Sequence, residues 1–166
     1  MREHLHPELQ AARSFVFVDT GRRYTDCSDA VVELVGYDRS EILNMKIDDL
    51  SFDHSCVPPL FEKYVQERQQ NGEFILRHKS GTPVLIRYNS WVFDDACHAA
   101  TWEPSEEWEQ LYLAALIETN GSKLRDKAKT ALSAIQKRQS TSGADDRPDI
   151  RQRLRDAADA LGSLLW

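Results

Sequence analysis

The segment Pro83–Phe93, PVLIRYNSWVF, limits what this chain can fold into more than any other stretch. It is rich in β-branched and aromatic residues and reads as one long strand. In a strand, successive side chains point to opposite faces. One parity holds Val84, Ile86, Tyr88 and Ser90; the other holds Leu85, Arg87, Asn89, Trp91 and Phe93. Both parities carry large apolar groups. At roughly 25 cal/mol per Å², covering a few aromatic side chains of some 150–250 Å² each is worth several kcal/mol. A sheet built on this strand therefore needs cover on both faces. Glu73–Lys79 is a strand before it, and Ser80-Gly81 is a tight turn, so the pair reads as a β-hairpin. Ser14–Asp19, Tyr24–Cys27 and Cys97–Trp102 are three further short strands.

Helical signals lie between the second and third strands. In VVELVGYDRSEIL, Val31, Leu34 and Val35 share one helix face, and Gly36 stands where a helix ends in a left-handed residue. Tyr37 is placed to pack back on Val31 or Val32. Asp38 and Glu41 have capping-box spacing for a second helix, and Ser28 is placed to cap the first. SFDHSCVPP reads as a loop, with Pro58-Pro59 suited to a helix start. Leu60, Phe61, Tyr64 and Val65 make an amphipathic helix expected to end near Asn71-Gly72.

Pro104 marks a boundary, and three amphipathic stripes follow it. Trp108, Leu111, Tyr112, Ala115 and Leu116 form the first, which Asn120-Gly121 is expected to stop. Leu124, Ala128, Ala131, Leu132 and Ile135 form the second. Past a linker, STSGADD, the third is Ile150, Leu154, Ala157, Leu161 and Leu165. The expected organisation is an N-terminal segment (1–13), a sheet domain (14–104) and a helical extension (105–166). Up to Pro104 the chain carries 17 acidic against 11 basic side chains, which argues against a nucleic-acid-binding face there. From Ser105 onward it carries 10 of each, so its Lys-rich stretch reads as a solvated helix face. No apolar run approaches the ~18 residues of a membrane span. No apolar signal core opens the chain, and the expected location is cytoplasmic. Cys27, Cys56 and Cys97 share no paired spacing and read as reduced thiols. No nucleophile elbow, phosphate-binding glycine loop or H-E-x-x-H occurs, so no enzyme is expected.

Two stretches carry a family resemblance. Phe15–Leu50 resembles the N-terminal half of a PAS domain: apolar strand, Asp, Gly, second strand, small helix, Gly-Tyr, then a capped Glu-Ile-Leu. Leu76–Tyr88, LRHKSGTPVLIRY, resembles its later strand–turn–strand. The resemblance covers Arg13 to Pro104 and implies an α+β PAS fold, a five-stranded antiparallel sheet with flanking short helices, followed here by an α-helical tail. Many PAS sequences carry Asn where Ser28 stands. The implied function is a sensory or protein-interaction module in bacterial-type signal transduction. It would bind a small ligand or a partner protein in trans and relay through dimer or helix rearrangement.

The resemblance also assigns the faces. It turns Val16, Val18, Phe74, Leu76, Ile86, Tyr88 and Ser90 inward, with Tyr64 and His78 completing the ligand-pocket candidates. Phe15, Phe17, Ile75, Leu85, Trp91 and Phe93 then face outward. The N-terminal segment, the tail helix with Trp108, or a second copy must cover them, and a homodimer is expected, with Phe15, Phe17, Leu85, Trp91, Phe93 and Trp108 as interface candidates. A flavin photoadduct of the light-sensing PAS type needs a Cys near Ile47, and Cys56 lies well downstream. Haem needs a ligating His on the helix Leu60–Gln70, and His54 lies just outside it. No cofactor or metal is therefore expected. The alternatives are a metal- or haem-binding protein using His54, Cys56, Cys97 and His98, and a structural dimerisation module whose pocket is filled.

Overall fold

The structure, a computed structural model, describes residues 12–141, 143 and 147–165. The N-terminal segment up to residue 11, and most of the linker around residues 142–146, lie outside the described residues. The chain divides after Pro104 into two compact units, each treated by itself.

The first unit is a five-stranded antiparallel sheet with strand order β2-β1-β5-β4-β3. Its strands are β1 (Phe15–Asp19), β2 (Tyr24–Cys27), β3 (Gln69–Arg77), β4 (Pro83–Val92) and β5 (Cys97–Pro104). The helices are α1 (Asp29–Val35), α2 (Arg39–Ile42), α3 (Ile47–Leu50) and α4 (Val57–Glu67), with a 3₁₀ turn at His54–Cys56. This is the expected α+β PAS layout. Val16, Val18, Leu76, Ile86 and Trp102 from the sheet bury against Val31, Val35, Ile42 and Leu50 from the helices.

The Gly36 corner forms as its sequence implies. Gly36 has φ +73°, and its N–H donates to Val32 O at 2.9 Å. The Glu41 carboxylate accepts the Asp38 N–H at 2.8 Å. The tip of the β3–β4 hairpin docks on this corner: the Lys79 N–H donates to Val35 O at 2.9 Å, and its ammonium donates to Glu41 at 2.8 Å. The positive φ favours glycine, and a Cβ on residue 36 would lie 2.4 Å from His78 Nε2, so the His78 ring would have to move to admit it. Tyr37 packs on the core, and the Lys79 ammonium sits 5.7 Å from its ring centroid.

Three local expectations change. Ser28 does not cap α1 through its side chain; its Oγ accepts the Phe15 N–H at 3.0 Å and ties β2 to β1. The helix α4 stops at Arg68, in a left-handed conformation at φ +61°, not at Asn71-Gly72. Gln69 to Gly72 instead pair with Trp91 to Tyr88, because β4 is long enough to take four more partners. The SFDHSCVPP segment is not all loop. Phe52 N–H donates to Ile75 O at 3.0 Å, and α4 starts at Val57 with both prolines in its first turn.

The second unit is three helices: α5 (Glu107–Leu116), α6 (Gly121–Ser140) and α7 (Pro148–Leu164). Their stripes meet one another around Trp108, Ala115, Ala128, Ala131, Ile135, Leu154, Ala157 and Leu161. Asn120-Gly121 starts α6: the Asn120 side chain accepts from Ser122 N at 3.2 Å and Lys123 N at 3.3 Å. The buried Glu109 carboxylate accepts the Glu106 N–H at 2.9 Å and pairs with Arg153 on α7 at 2.7 Å. Glu106 pairs with Arg138 on α6 at 2.7 Å and accepts the Trp108 indole N–H at 3.2 Å.

Candidate functional site

The inner face of the sheet and α4 line a partly open cavity of about 90 Å³. Alternation along β1, β3 and β4 brings Val16, Val18, Phe74, Leu76, Ile86, Tyr88 and Ser90 to it, and α4 adds Tyr64. His78 is not among its lining residues; it sits at the hairpin tip against Gly36 and bonds Ser80 Oγ at 2.8 Å. The structure adds wall residues that the sequence reading did not place there, chiefly Tyr24, Phe61, Gln70, His98 and Trp102. On β5, strict alternation from Trp102 back to Ala100 and His98 could have found two of them. Tyr24 had no such signal. Val16 pairs with Cys27 and Val18 with Tyr24, so two steps along β1 face three along β2. The irregularity turns both Tyr24 and Cys27 inward.

Several polar groups in the wall are already bonded. The Tyr88 phenol donates to Gln70 Oε1 at 3.2 Å, and Ser90 Oγ donates to Gln70 O at 3.0 Å. The Tyr64 phenol meets His98 Nδ1 at 3.2 Å. Two are not: Tyr24 Oη and His98 Nε2 are buried without a hydrogen-bond partner among the described residues. Tyr24 is 2% exposed and His98 5%. Burial pushes the Tyr24 and Tyr64 phenols far above their ordinary value, so both are neutral. Burial also lowers the His98 imidazole, against the opposing pull of Asp94 and Asp19, and favours the neutral ring. Among the described residues, no Asp, Glu, Lys or Arg lines the cavity. The site offers hydrogen bonds and apolar contact without charge.

An ion pair stands beside the α4 wall. Arg22 grips the Asp48 carboxylate with two bonds, of 2.8 and 3.0 Å, and its guanidinium lies 5.9 Å from the centroid of Phe61. The Arg22 hydrogen bonds hold the Asp48 carboxyl below its usual range. Arg22 has φ +66°, a conformation unusual for a non-glycine residue.

The four residues of the metal or haem alternative are not gathered. His54 bonds Asp48 O from the 3₁₀ turn, Cys56 donates to Asp53 O at 3.0 Å, and His98 is taken by Tyr64. Among the described residues, no three His, Cys, Asp or Glu side chains form a metal-sized group. Ile47 lines the cavity.

On the outer face, Phe15 and Phe17 meet edge to face at 5.8 Å, and Phe17 meets Phe93 at 6.2 Å. Trp91 is buried beside Ala99, while Phe93 is 44% exposed. Leu85 is half-buried opposite Ile75. Trp108 belongs to the interior of the helical unit. Among the described residues, no helix is long and apolar enough to cross a membrane.

A family model described as PAS domain matches residues 13–100. Among solved structures, the chain is similar to a PAS domain from a two-component sensor histidine kinase, with TM-score 0.51, 16% identity, and coverage of 55% of this chain and 84% of that one. It is similar to a domain of the sensory box sensor histidine kinase/response regulator from Geobacter sulfurreducens, with TM-score 0.50, 17% identity, and coverage of 54% and 81%. It is also similar to the dark structure of the blue-light photoreceptor Aureochrome1 LOV, with TM-score 0.52, 16% identity, and coverage of 65% and 86%. At these identities the likeness is one of fold. A search of curated proteins found no match.

Proposed function

The chain belongs to the PAS domain family, whose members are typically signal-sensing modules and generally not enzymes, and on that premise we propose that it senses a small molecule held in the cavity under α4. The observation that carries this reading is the space itself: about 90 Å³ left open beneath α4 among mostly apolar side chains, with Gln70, Tyr88 and Ser90 on its wall. A filled core would leave no such space, since packed interiors hold few voids larger than a water molecule. Binding would shift the sheet and α4 together, and a partner protein would read the change.

Size bounds the affinity. A 150 Å³ apolar cavity takes up benzene, so about 90 Å³ holds about four non-hydrogen atoms. At a ceiling of about −1.5 kcal/mol per atom, binding is no stronger than about −6 kcal/mol, a Kd of tens of micromolar. The test is an amide chemical-shift series under xenon pressure. Saturable shifts at Val16, Val18 and His98 are expected; their absence at every pressure would remove the cavity as a binding site.

The same reading includes a homodimer through the outer aromatic strip, supported by the 44% exposure of Phe93 beside Phe17. Light scattering on the wild type and on Phe93→Glu checks it. A wild-type monomer at tens of micromolar refutes it.

A further inference from the structure

The helix α4 is held differently from the other helices of its unit. Val31, Val35, Ile42 and Leu50, from α1 to α3, bury in one apolar cluster with Val16, Val18, Leu76 and Ile86 of the sheet. The stripe of α4, Val57, Leu60, Phe61 and Tyr64, lines the cavity instead. Val57 and Tyr64 are buried, yet neither belongs to that cluster. A stripe that faces open space gains less from packing than one that faces side chains. Among the described residues, the hydrogen bonds and ring contacts from α4 side chains to the rest of the unit involve two residues. His98 bonds the Tyr64 phenol at 3.2 Å and meets the Phe61 and Tyr64 rings, and Arg22 lies over Phe61. The C-terminal end of α4 is pinned by backbone. Arg68, at φ +61°, donates its N–H to Tyr64 O at 2.8 Å, and its carbonyl accepts the Val92 N–H at 3.0 Å.

Arg22 joins three elements. It stands in the turn between β1 and β2, its carbonyl accepts the Ile47 N–H of α3 at 2.9 Å, and its guanidinium lies 5.9 Å from the centroid of a ring on α4. Ile47 and Phe61, which it touches in this way, both line the cavity; Arg22 and Asp48 do not. The two bonds to Asp48, of 2.8 and 3.0 Å, fix the plane of the guanidinium. A cation so fixed attracts the face of an aromatic ring. Glu62, next to Phe61 on α4, attracts the same cation. Glycine would take the left-handed backbone of this position, φ +66°, without strain, and arginine stands there instead.

We propose that α4 is the door of the cavity and that the Arg22–Asp48 pair is its latch. Asp48 holds the guanidinium against Phe61, α4 swings about its pinned end at Arg68, and a small molecule passes while Phe61 is off the guanidinium. The proposal rests on the sensory reading of the same cavity. It carries a kinetic signature. The latch is closed in the empty and in the occupied protein, so its strength cancels from the equilibrium between them. It remains in the opening step, and so sets the rates of entry and exit alike.

The experiment measures xenon exchange by ¹²⁹Xe magnetic resonance on the full chain, together with amide hydrogen exchange without xenon. The variants are Asp48→Asn, which loses the charged fork, and Arg22→Gly, which removes the guanidinium while suiting the positive φ. Each should raise the entry and exit rates of xenon about threefold or more and leave its Kd within about twofold of wild type. The amides of Phe61 to Glu67 should lose protection by a similar factor, while those of Val31 to Val35 keep theirs. Unchanged xenon rates and unchanged α4 protection in Arg22→Gly overturn the latch. Faster exit alone, with a weaker Kd, overturns it too, because the pair would then support the occupied state rather than the passage. An equal loss of protection in α1 and α4 shows a general loss of stability and overturns it as well. No xenon uptake by the wild type removes the sensory reading, and α4 protection then decides the latch by itself. If Asp48→Asn does not fold, Arg22→Gly decides.

Discussion

The sheet unit and the helical unit bury their interiors in opposite ways. The sheet unit leaves a pocket of about 90 Å³ among large side chains. The helical unit closes over alanines: Ala115, Ala128 and Ala131 are fully buried, and Ala157 is 3% exposed. Small residues at the contact let helix axes approach closely. Its buried carboxylate, Glu109, has both an arginine and a backbone N–H. Open space suits a part that must accept something; an interior closed over small side chains suits a part that must keep its shape.

The strongest way to break this contrast is to open space in the helical unit. Leu161 is fully buried there, and Leu161→Ala should cost about 2–5 kcal/mol by leaving a void in a packed interior. Denaturant unfolding followed by far-ultraviolet circular dichroism measures it; a loss below about 1 kcal/mol would mean that this interior is loose.

Adding volume sharpens the contrast from the other side. Ala131→Leu places three carbons where none fit and should destabilise by about 1–3 kcal/mol. Ala100→Leu points the same addition at the cavity, where it should be neutral or stabilise by about 0.5–2 kcal/mol. It should also abolish the xenon response. Equal losses in the two variants would erase the distinction between the units.

A smaller effect tests the corner that frames the sheet unit. Gly36→Ala should cost about 1–2 kcal/mol, from the positive φ and from the clash with His78. Thermal unfolding of Gly36→Ala, with and without His78→Ala, separates the two causes: relief in the double variant measures the clash.

The smallest expected effect is a pH dependence. Burial holds the His98 imidazole below its ordinary value of 6.5. The unfolded chain then takes up a proton that the folded chain refuses. Stability from the neutral ring is fully present above about pH 6.5 and is lost as pH falls toward the folded value. One proton limits the slope to about 1.4 kcal/mol per pH unit. Glu41 and Asp48, pulled down by Lys79 and Arg22, act in a lower window, below the ordinary carboxylate range. Urea midpoints between about pH 7.5 and 5.5 should fall for the wild type and stay flatter for His98→Leu. Identical slopes would show that His98 is not the group responsible.

Within this protein, the sequence by itself determined whatever depends on neighbours a few residues apart. The Gly36 corner, the Asp38–Glu41 pair, the hairpin around Ser80-Gly81 and the three tail stripes are all set by capping, turn chemistry and periodicity. The alternation of Pro83–Phe93 put Ile86, Tyr88 and Ser90 on one face, and the PAS resemblance turned that face to the cavity. Only the tertiary structure decided what depends on distant partners. The insertion of β5 between β1 and β4 carries His98 into the row of Tyr24 and Val18. The irregular β1–β2 register turns Tyr24 inward, and the length of β4 draws Gln69–Gly72 out of the helix. The three stripes of the tail likewise found one another, where the sequence could say only that each needed cover. The physical reason is range. A cap or a turn is closed by residues within one turn of chain, whereas strand order and register are chosen by packing and loop closure over the whole unit, and no local pattern records them.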